Sequence, residues 1–419
     1  MAKKYSLHNG NSGAKGRLLV TAMLLAVTLV MVSACSSAPD PSRAKPKKST
    51  PSPSATTLVY DPVPAQAKAL VEKMSLEDKV AQMFMVTPEA FLQRNQWVVA
   101  AGEPAQQAFN RRPVGGVIYN SANLQSPEQV KTMLSEMQEY SQERVGLPVF
   151  IAVDEEGGTV ARVSGNSALG IKPYPNMSEV GAGKDPKRAL EIGTEMGKYL
   201  ADLGFNIDFA PDADVLTNPE NDLLKERAFG SKARTVTKMA AAFSKGLQTS
   251  PVLATYKHFP GHGSTSTDSH KGVTVSQQDV KQLERVDLVP FKDAVAKDIK
   301  LVMVSHVSFP KVVGDNTPAS LSKKLVTGWA RGKLKYQGIL ITDSMRMGAI
   351  SSNYQPAEAA VMAVEAGIDI VLDPQDFEAA YQAVLTAVNS GQISEDRINQ
   401  SATRIVATKL RLTSANAAK

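Results

Sequence analysis

Three of the five histidines in this 419-residue chain fall in one stretch, KHFPGHGSTSTDSH, residues 257–270. Two chemistries use imidazole so densely: a metal site, or an acid–base device carried on a loop. His258 and His262 have the four-residue spacing of two ligands on a helix. Pro260, Gly261 and Gly263 interrupt any regular helix there, and the glutamate of an HExxH metal motif is missing. His258, His306 and Asp343 at strand ends are the residues that would imitate a metal centre. The acid–base alternative rests on Asp268, two residues before His270. More polar residues close apolar runs elsewhere: Asp154 and Arg162 in DEEGGTVAR, Asp212 and Asp214 in PDADV, Arg227 in ERAFG, Ser305-His306, and Asp343 in ITDSM. Asp343 alone would read equally as a helix N-cap, and Asp212 and Asp214 read as loop or cap residues. His262 reads as a loop-positioning residue, and His306 as one that packs or hydrogen-bonds near the site. Met345 and Met347 suit either a pocket lining or helix packing.

The elements that must position these groups follow a rhythm. Apolar, β-rich runs recur at QMFMV (82–86), GGVIY (115–119), VFIAV (149–153), FNIDFA (205–210), VLATYKHF (252–259), KLVMVSH (300–306), GILITD (338–343) and DIVLD (369–373). Near-continuous apolar strands belong to parallel sheets covered on both faces. Helical patterns such as 127–143 and 186–204 lie between them, and 393–412 reads as a closing helix with Ser394 as its N-cap. Eight strands alternating with helices predict an α/β fold, a single (β/α)8 TIM-type barrel over 60–415. No Gly-rich dinucleotide fingerprint follows the first strand, which weakens a doubly wound sheet. In barrels the chemistry gathers at the C-terminal strand ends, where the polar residues above recur.

In order and spacing, DEEGG, ERAFG, KHFPGHG, DSH and ITDSM resemble glycoside hydrolase family 3, in its β-N-acetylhexosaminidase branch. The resemblance runs over roughly residues 65–410. It implies Asp343 as nucleophile, His270 as general acid/base and Asp268 as its partner. It also implies that Asp154, Arg162, Arg227, Lys257 and His258 hold the sugar. The family's usual DQEGGRVQR reads DEEGGTVAR here, so Glu155, Thr159 and Ala161 are departures expected at the rim of the site. Many β-glucosidases of the family draw their acid from a second domain. Here the acid is expected from the barrel, as in the hexosaminidases. The residue types agree with a retaining glycosidase, which needs a carboxylate under the anomeric carbon and an acid on the leaving-group side. Imidazole, with a reference pKa of about 6.5, suits neutral pH without the upward tuning a carboxylic acid requires. Asp268 would fix its tautomer and raise its basicity.

The ends and the charge bound the rest. Eight of the 47 basic residues, but one of the 41 acidic ones, lie in residues 1–57, so the body is nearly neutral and nucleic-acid binding is not expected. A basic start and the apolar run 18–32 precede Val32-Ser33-Ala34-Cys35, which resembles a bacterial lipobox. Residues 1–34 are therefore expected to be a lipoprotein signal peptide. Cys35, the sole cysteine, would be lipidated and the protein anchored outside the cytoplasm. Residues 35–59, rich in Pro, Ser and Lys, read as a disordered tether. The expected activity is exo-β-N-acetylglucosaminidase action on cell-wall or other amino-sugar glycans, by a monomer needing no cofactor or metal. Rivals within the family are a β-glucosidase, a β-xylosidase and a GlcNAc phosphorylase. The rival of another class is a solute-binding lipoprotein.

Overall fold

The computed structural model describes residues 63–266, 268–270 and 272–417. The signal peptide, Cys35 and the tether lie outside the described residues. Eight strands fall inside the eight apolar runs: β1 Phe84–Val86, β2 Gly116–Ile118, β3 Phe150–Val153, β4 Ile207–Asp208, β5 Leu253–Phe259, β6 Leu301–Val304, β7 Ile339–Thr342 and β8 Val371–Leu372. Apart from half-buried Leu253, every residue in them is buried, which is why no period-two alternation was visible in the sequence. Neighbours pair in parallel from β1 to β7, with β8 against β1. The ring closes through a parallel bridge between Ile341 and Ile370, where Thr342 N–H donates to Ile370 O at 3.0 Å. All eight C-terminal ends therefore open on one face.

The strands are shorter than the apolar runs, for local reasons. β4 stops at Asp208 because Pro211 has no N–H for a ladder. Pairing resumes as a bridge from Asp212 to Lys257, with Ala213 N–H on Lys257 O at 2.6 Å. Gly115, just before β2, is required by packing, since a Cβ there would lie 1.9 Å from the Gln82 carbonyl oxygen. The outer layer begins and ends where its cap residues stand. Ser126 caps Pro127–Val145, and Gly204 at φ 104° ends Pro186–Leu203. Ser394 Oγ accepts the Arg397 N–H at 3.3 Å, the cap expected for the closing helix Glu395–Ala417. That helix is tied to the barrel by buried Asp369, which accepts from Arg331, Ser401 and Arg404 and from Leu340 N–H. One buried carboxylate thus joins the helix to the start of the β7–β8 seam.

Candidate active site

The open face holds a cavity of about 1070 Å³. All eight residues expected to carry chemistry or hold sugar line it: Asp154, Arg162, Arg227, Lys257, His258, Asp268, His270 and Asp343. Residues up to 189 positions apart in sequence meet because β3, β5 and β7 end side by side or across the same mouth.

The DEEGGTVAR segment is a small hairpin rather than a loop. Glu155–Gly157 pairs antiparallel with Val160–Ala161, and Arg162 N–H reaches Asp154 O at 3.3 Å. The eight-residue spacing therefore returns Arg162 beside Asp154. Glu155, expected at the rim, is fully buried beneath it. Its carboxylate accepts Val163 N–H at 2.7 Å, Ser164 N–H at 2.9 Å and the Tyr199 hydroxyl at 2.8 Å, so it braces the hairpin. Of the three departures from the family pattern, Thr159 alone lines the cavity.

Glu156 is a site residue that sequence reasoning missed. It accepts Arg227 Nε and Nη2 at 2.8 Å each and Lys257 Nζ at 2.6 Å. Burial would raise its pKa, but Arg227 and Lys257 overcome this and hold the carboxyl far below its usual range. Lys257 Nζ also donates to Asp154 Oδ1 at 2.7 Å. Burial opposes charge on Lys257 as well, and Asp154 and Glu156 keep it protonated well above neutral pH. The wall is thus a chain of alternating charge, Asp154–Lys257–Glu156–Arg227, beginning at the half-buried Asp154. Such paired donors and acceptors match vicinal hydroxyls, which need both.

Asp212 and Asp214 are more than loop or cap residues. Asp212 Oδ1 does accept the Asp214 N–H at 2.9 Å, a local turn, but both carboxyls are buried among the histidines. Asp214 Oδ2 lies 2.7 Å from His258 Nδ1, and Oδ1 accepts the His262 N–H at 2.7 Å. Burial would depress the His258 pKa; the Asp214 carboxylate reverses this and raises it. Asp212, Asp214 and His258 bring one ligand atom each within 4.8 Å of one another, so they form the cluster best arranged to hold a cation. Arg227 already lies 3.8 Å from Asp212 and 3.4 Å from His258 Nε2, which supplies positive charge where a metal would.

Asp343 follows β7 directly. Its Oδ1 accepts the Ser344 N–H at 2.8 Å. Burial would favour the neutral acid, but His258 leads the neighbours that hold it ionised, with its pKa below the usual value. His306 Nε2 meets the Ser344 carbonyl at 3.0 Å and therefore carries the proton, so Nδ1 accepts from Ser320 Oγ at 2.7 Å. Burial lowers the His306 pKa, keeping the ring neutral as a brace for the backbone that follows Asp343. Met347 lines the cavity, whereas Met345 is packed in the core.

The histidine stretch builds the opposite wall. His270 Nδ1 lies 2.8 Å from Asp268 Oδ1, which also accepts the His270 N–H at 2.9 Å. Nδ1 is therefore the donor to the carboxylate, which turns Nε2 into the working nitrogen. His262 is wholly occupied, Nδ1 with Thr265 Oγ1 and Nε2 with Ser269 Oγ, each at 2.9 Å. Burial pushes its pKa down to about 4 and His258 adds to this, so it is a neutral staple for the loop. The loop is docked as well as stapled. Ser269 O and His270 O accept the N–H groups of Ala349 and Gly348 at 3.1 Å each, at the start of the helix that follows Asp343. Its far end is fixed by Thr274–Val275 pairing with Val307–Ser308.

Comparisons with known proteins agree with this fold. The model of the glycosyl hydrolase family 3 N-terminal domain matches residues 75–408. Beta-hexosaminidase LpqI of Mycobacterium tuberculosis is 31% identical over 399 residues, covering 93% of this chain and 97% of LpqI. Beta-hexosaminidase A of Pseudoalteromonas piscicida is 31% identical over 340 residues, 74% of this chain but 56% of that protein. Among solved structures, a family 3 β-N-acetylglucosaminidase from Paenibacillus sp. str. FPU-7 superposes with a TM-score of 0.76 at 37% identity, over 81% of this chain and 63% of its own.

Proposed function

The chain belongs to glycosyl hydrolase family 3, and from that premise we propose that it removes terminal, non-reducing β-linked N-acetylglucosamine from amino-sugar glycans by retaining double displacement. One observation carries the mechanism. The Asp343 carboxylate and the Asp268–His270 pair line the same cavity, and the loop bearing His270 is hydrogen-bonded to the helix following Asp343. Acid and nucleophile are thereby positioned against each other.

In the first step Asp343 Oδ2 attacks the anomeric carbon, since Oδ1 is held by Ser344. The glycosidic bond breaks, and His270 Nε2–H gives its proton to the departing oxygen. In the second step His270 Nε2 takes a proton from water, whose oxygen displaces Asp343 and restores the carboxylate. Asp268 holds Nδ1–H throughout and stabilises the imidazolium present before proton donation. Asp154, Lys257, Arg227 and Arg162 bind hydroxyls and exclude water; they hold the ring for in-line attack.

We further propose that the enzyme works outside the cytoplasm on wall-derived fragments, anchored through a lipid on Cys35. The basic start, the apolar run 18–32 and the lipobox-like Val32-Ser33-Ala34-Cys35 support that placement. Among the described residues no helix is long and apolar enough to cross a membrane.

The test is hydrolysis of an aryl β-GlcNAc with product anomers followed over time, with and without phosphate. Asp343→Ala should abolish turnover while leaving thermal stability and sugar binding in place. A 2-deoxy-2-fluoro glycoside should label the wild type at Asp343. An inverted product or an adduct on another residue refutes the mechanism, and release that requires phosphate makes the enzyme a phosphorylase.

A further inference from the structure

The catalytic cavity does not end at the nucleophile. It continues past the Arg346–Asp373 ion pair, 2.8 Å long, into a second hollow of about 1060 Å³. Thr87, Asn120, Arg346 and Asp373 line both, so the two form one groove. At the outer end stands Trp97, 59% exposed and the most exposed large apolar side chain among the described residues.

The groove lies on the leaving-group side. In a closed eight-stranded ring β3 and β7 face each other across the mouth. A sugar held by Asp154 after β3 and attacked by Asp343 after β7 spans that mouth, with its anomeric carbon toward β7. The loop bearing His270, the proton donor, is docked on Gly348 N–H, two residues after Arg346, so what is attached to that carbon leaves beside the Arg346–Asp373 pair, toward β8 and β1. Asp373 follows β8 and Trp97 follows β1.

Trp97 stands on a loop that is fixed rather than slack. Glu89 Oε1 accepts the Val98 N–H at 2.8 Å and Asn123 Nδ2 at 2.7 Å. Asn123 Nδ2 also donates to Val98 O at 2.9 Å, and Gln129 Nε2 donates to Val99 O at 2.6 Å. Three side chains thus clamp the two residues after the tryptophan. A pre-positioned flat ring loses little entropy on binding. The carboxylates of the groove are engaged in the fold. Glu89 holds Val98, Asp373 binds Arg346 and Ser344, and Asp376 caps its helix through the Ala379 N–H. What the groove adds around Trp97 is amide: Gln93, Asn95, Gln96 and Gln375. Amides donate and accept at once, as hydroxyl and acetamido groups require.

Resting on the glucosaminidase reading above, we propose that this groove binds the N-acetylated sugars that follow the cleaved residue, with Trp97 as their stacking platform. The enzyme is then selective for runs of amino sugar rather than for a terminal sugar on any aglycone.

The experiment compares kcat/KM for an aryl β-GlcNAc and for β-1,4-linked GlcNAc dimer to pentamer. In the wild type the value should rise with length beyond the dimer. In Trp97→Ala the ratio of tetramer to aryl glycoside should fall about tenfold, the usual loss when a well-placed tryptophan contact is truncated. Trp97→Phe should restore much of it. A second reading needs no turnover. The chain has two tryptophans, and Trp329 is buried in a helix remote from the cavity. In the inactive Asp343→Asn variant, tetramer should change the emission of Trp97, and the change should vanish with Trp97→Ala. A length gain that survives Trp97→Ala, or no length gain at all, overturns the groove while leaving the glucosaminidase reading intact. Failure to release GlcNAc from the aryl glycoside itself would instead remove that reading, and the groove's role with it.

Discussion

Replacing Glu156 by Gln keeps the side chain's volume and removes one negative charge from beneath the sugar. The carboxylate is 1% exposed and accepts three donors from two cations, at 2.6–2.8 Å. An amide offers a single oxygen and points an NH2 group at a donor, so Arg227 or Lys257 loses its acceptor. Breaking a buried pair this way costs about 3–5 kcal/mol. Lys257 keeps Asp154 at 2.7 Å and Arg227 keeps Asp212 at 3.8 Å, which places the loss near the lower end. For a body of this size the melting entropy is about 0.7 kcal/mol/K, so ~3 kcal/mol corresponds to a fall in Tm of roughly 4 °C. The pH dependence has a definite sign. A carboxyl whose folded pKa is depressed stabilises above its unfolded value, about 4.3, and that stability is lost only as pH falls through the folded pKa. The gap between wild type and variant should therefore stay constant from about pH 5 to 8 and close in acid. Activity should suffer too, because displaced cations no longer hold the ring, and misplacement by about 1 Å costs ~100-fold. Thermal melts and aryl-GlcNAc kinetics on the same preparations, with Asp154→Asn as comparison, decide the matter. Asp154 is partly exposed and its loss leaves Lys257 on Glu156, so Asp154→Asn should raise KM with little change in Tm. A Glu156→Gln protein with unchanged Tm and KM would show that water satisfies both cations, and the charged-wall argument fails.

His270→Ala should slow cleavage of GlcNAc disaccharides about 10²–10⁴-fold and aryl glycosides with acidic phenols far less, with Asp268→Asn acting in the same direction; rate against leaving-group pKa is the check. Asp287 lies under the PGHG turn, where a Cβ on Gly261 would be 2.4 Å from it, and neither of its carboxylate oxygens has a well-formed hydrogen bond among the described residues. Burial pushes its pKa up to about 7, so the folded state holds a proton that the unfolded chain releases near pH 4, and stability falls as pH rises between the two. Asp287→Asn should thus stabilise progressively from pH 5 to 8, by at most ~4 kcal/mol at the upper end, in urea titrations; an equal gain at both pH values would exclude the cause. Cys35→Ala should release the protein from membranes or block its processing, as fractionation and mass spectrometry of the mature N-terminus would show.

What the sequence disclosed and what it withheld follow from the range of each interaction. Parallel strands buried on both faces leave long apolar runs, so the barrel was legible. Asp268 and His270 are two residues apart, and their contact is a property of one turn. Asp154 and Arg162 are joined by a hairpin short enough to read as a spacing. Glu156 was missed because its partners are 71 and 101 residues away, Arg227 in the turns after β4 and Lys257 on β5. A signal existed: Glu155–Gly157 is extended, so Asp154 and Glu156 fall on one side and Glu155 on the other. Reading that alternation would have sent Glu156 to the sugar and Glu155 into the wall. Asp212 and Asp214 misled for the opposite reason. PDADV has the composition of a turn, and Asp212 does make one, but a ladder from β5 pulls the turn into the mouth of the barrel.

The division of labour between strand ends and loop has a physical logic. Charges that must stay in place, Lys257, Glu156 and Arg227, are buried and satisfy one another, so removing any one leaves a buried partner uncompensated. The group that must gain and lose a proton in each half-reaction cannot be buried so deeply. His270 keeps 57% of its side chain exposed and has one ion-pair partner, Asp268, among the described residues. Precision then has to come from the backbone, and it does: two carbonyls of the histidine loop close on two N–H groups five and six residues after Asp343. Those bonds involve no side chain, so substitutions at Gly348 or Ala349 that preserve the backbone should leave the acid in register. Proline at position 349 removes one of the two donors. Its effect should fall on kcat for poor leaving groups while KM for the aryl glycoside holds, because the sugar is bound by the strand ends and only the proton donor has moved.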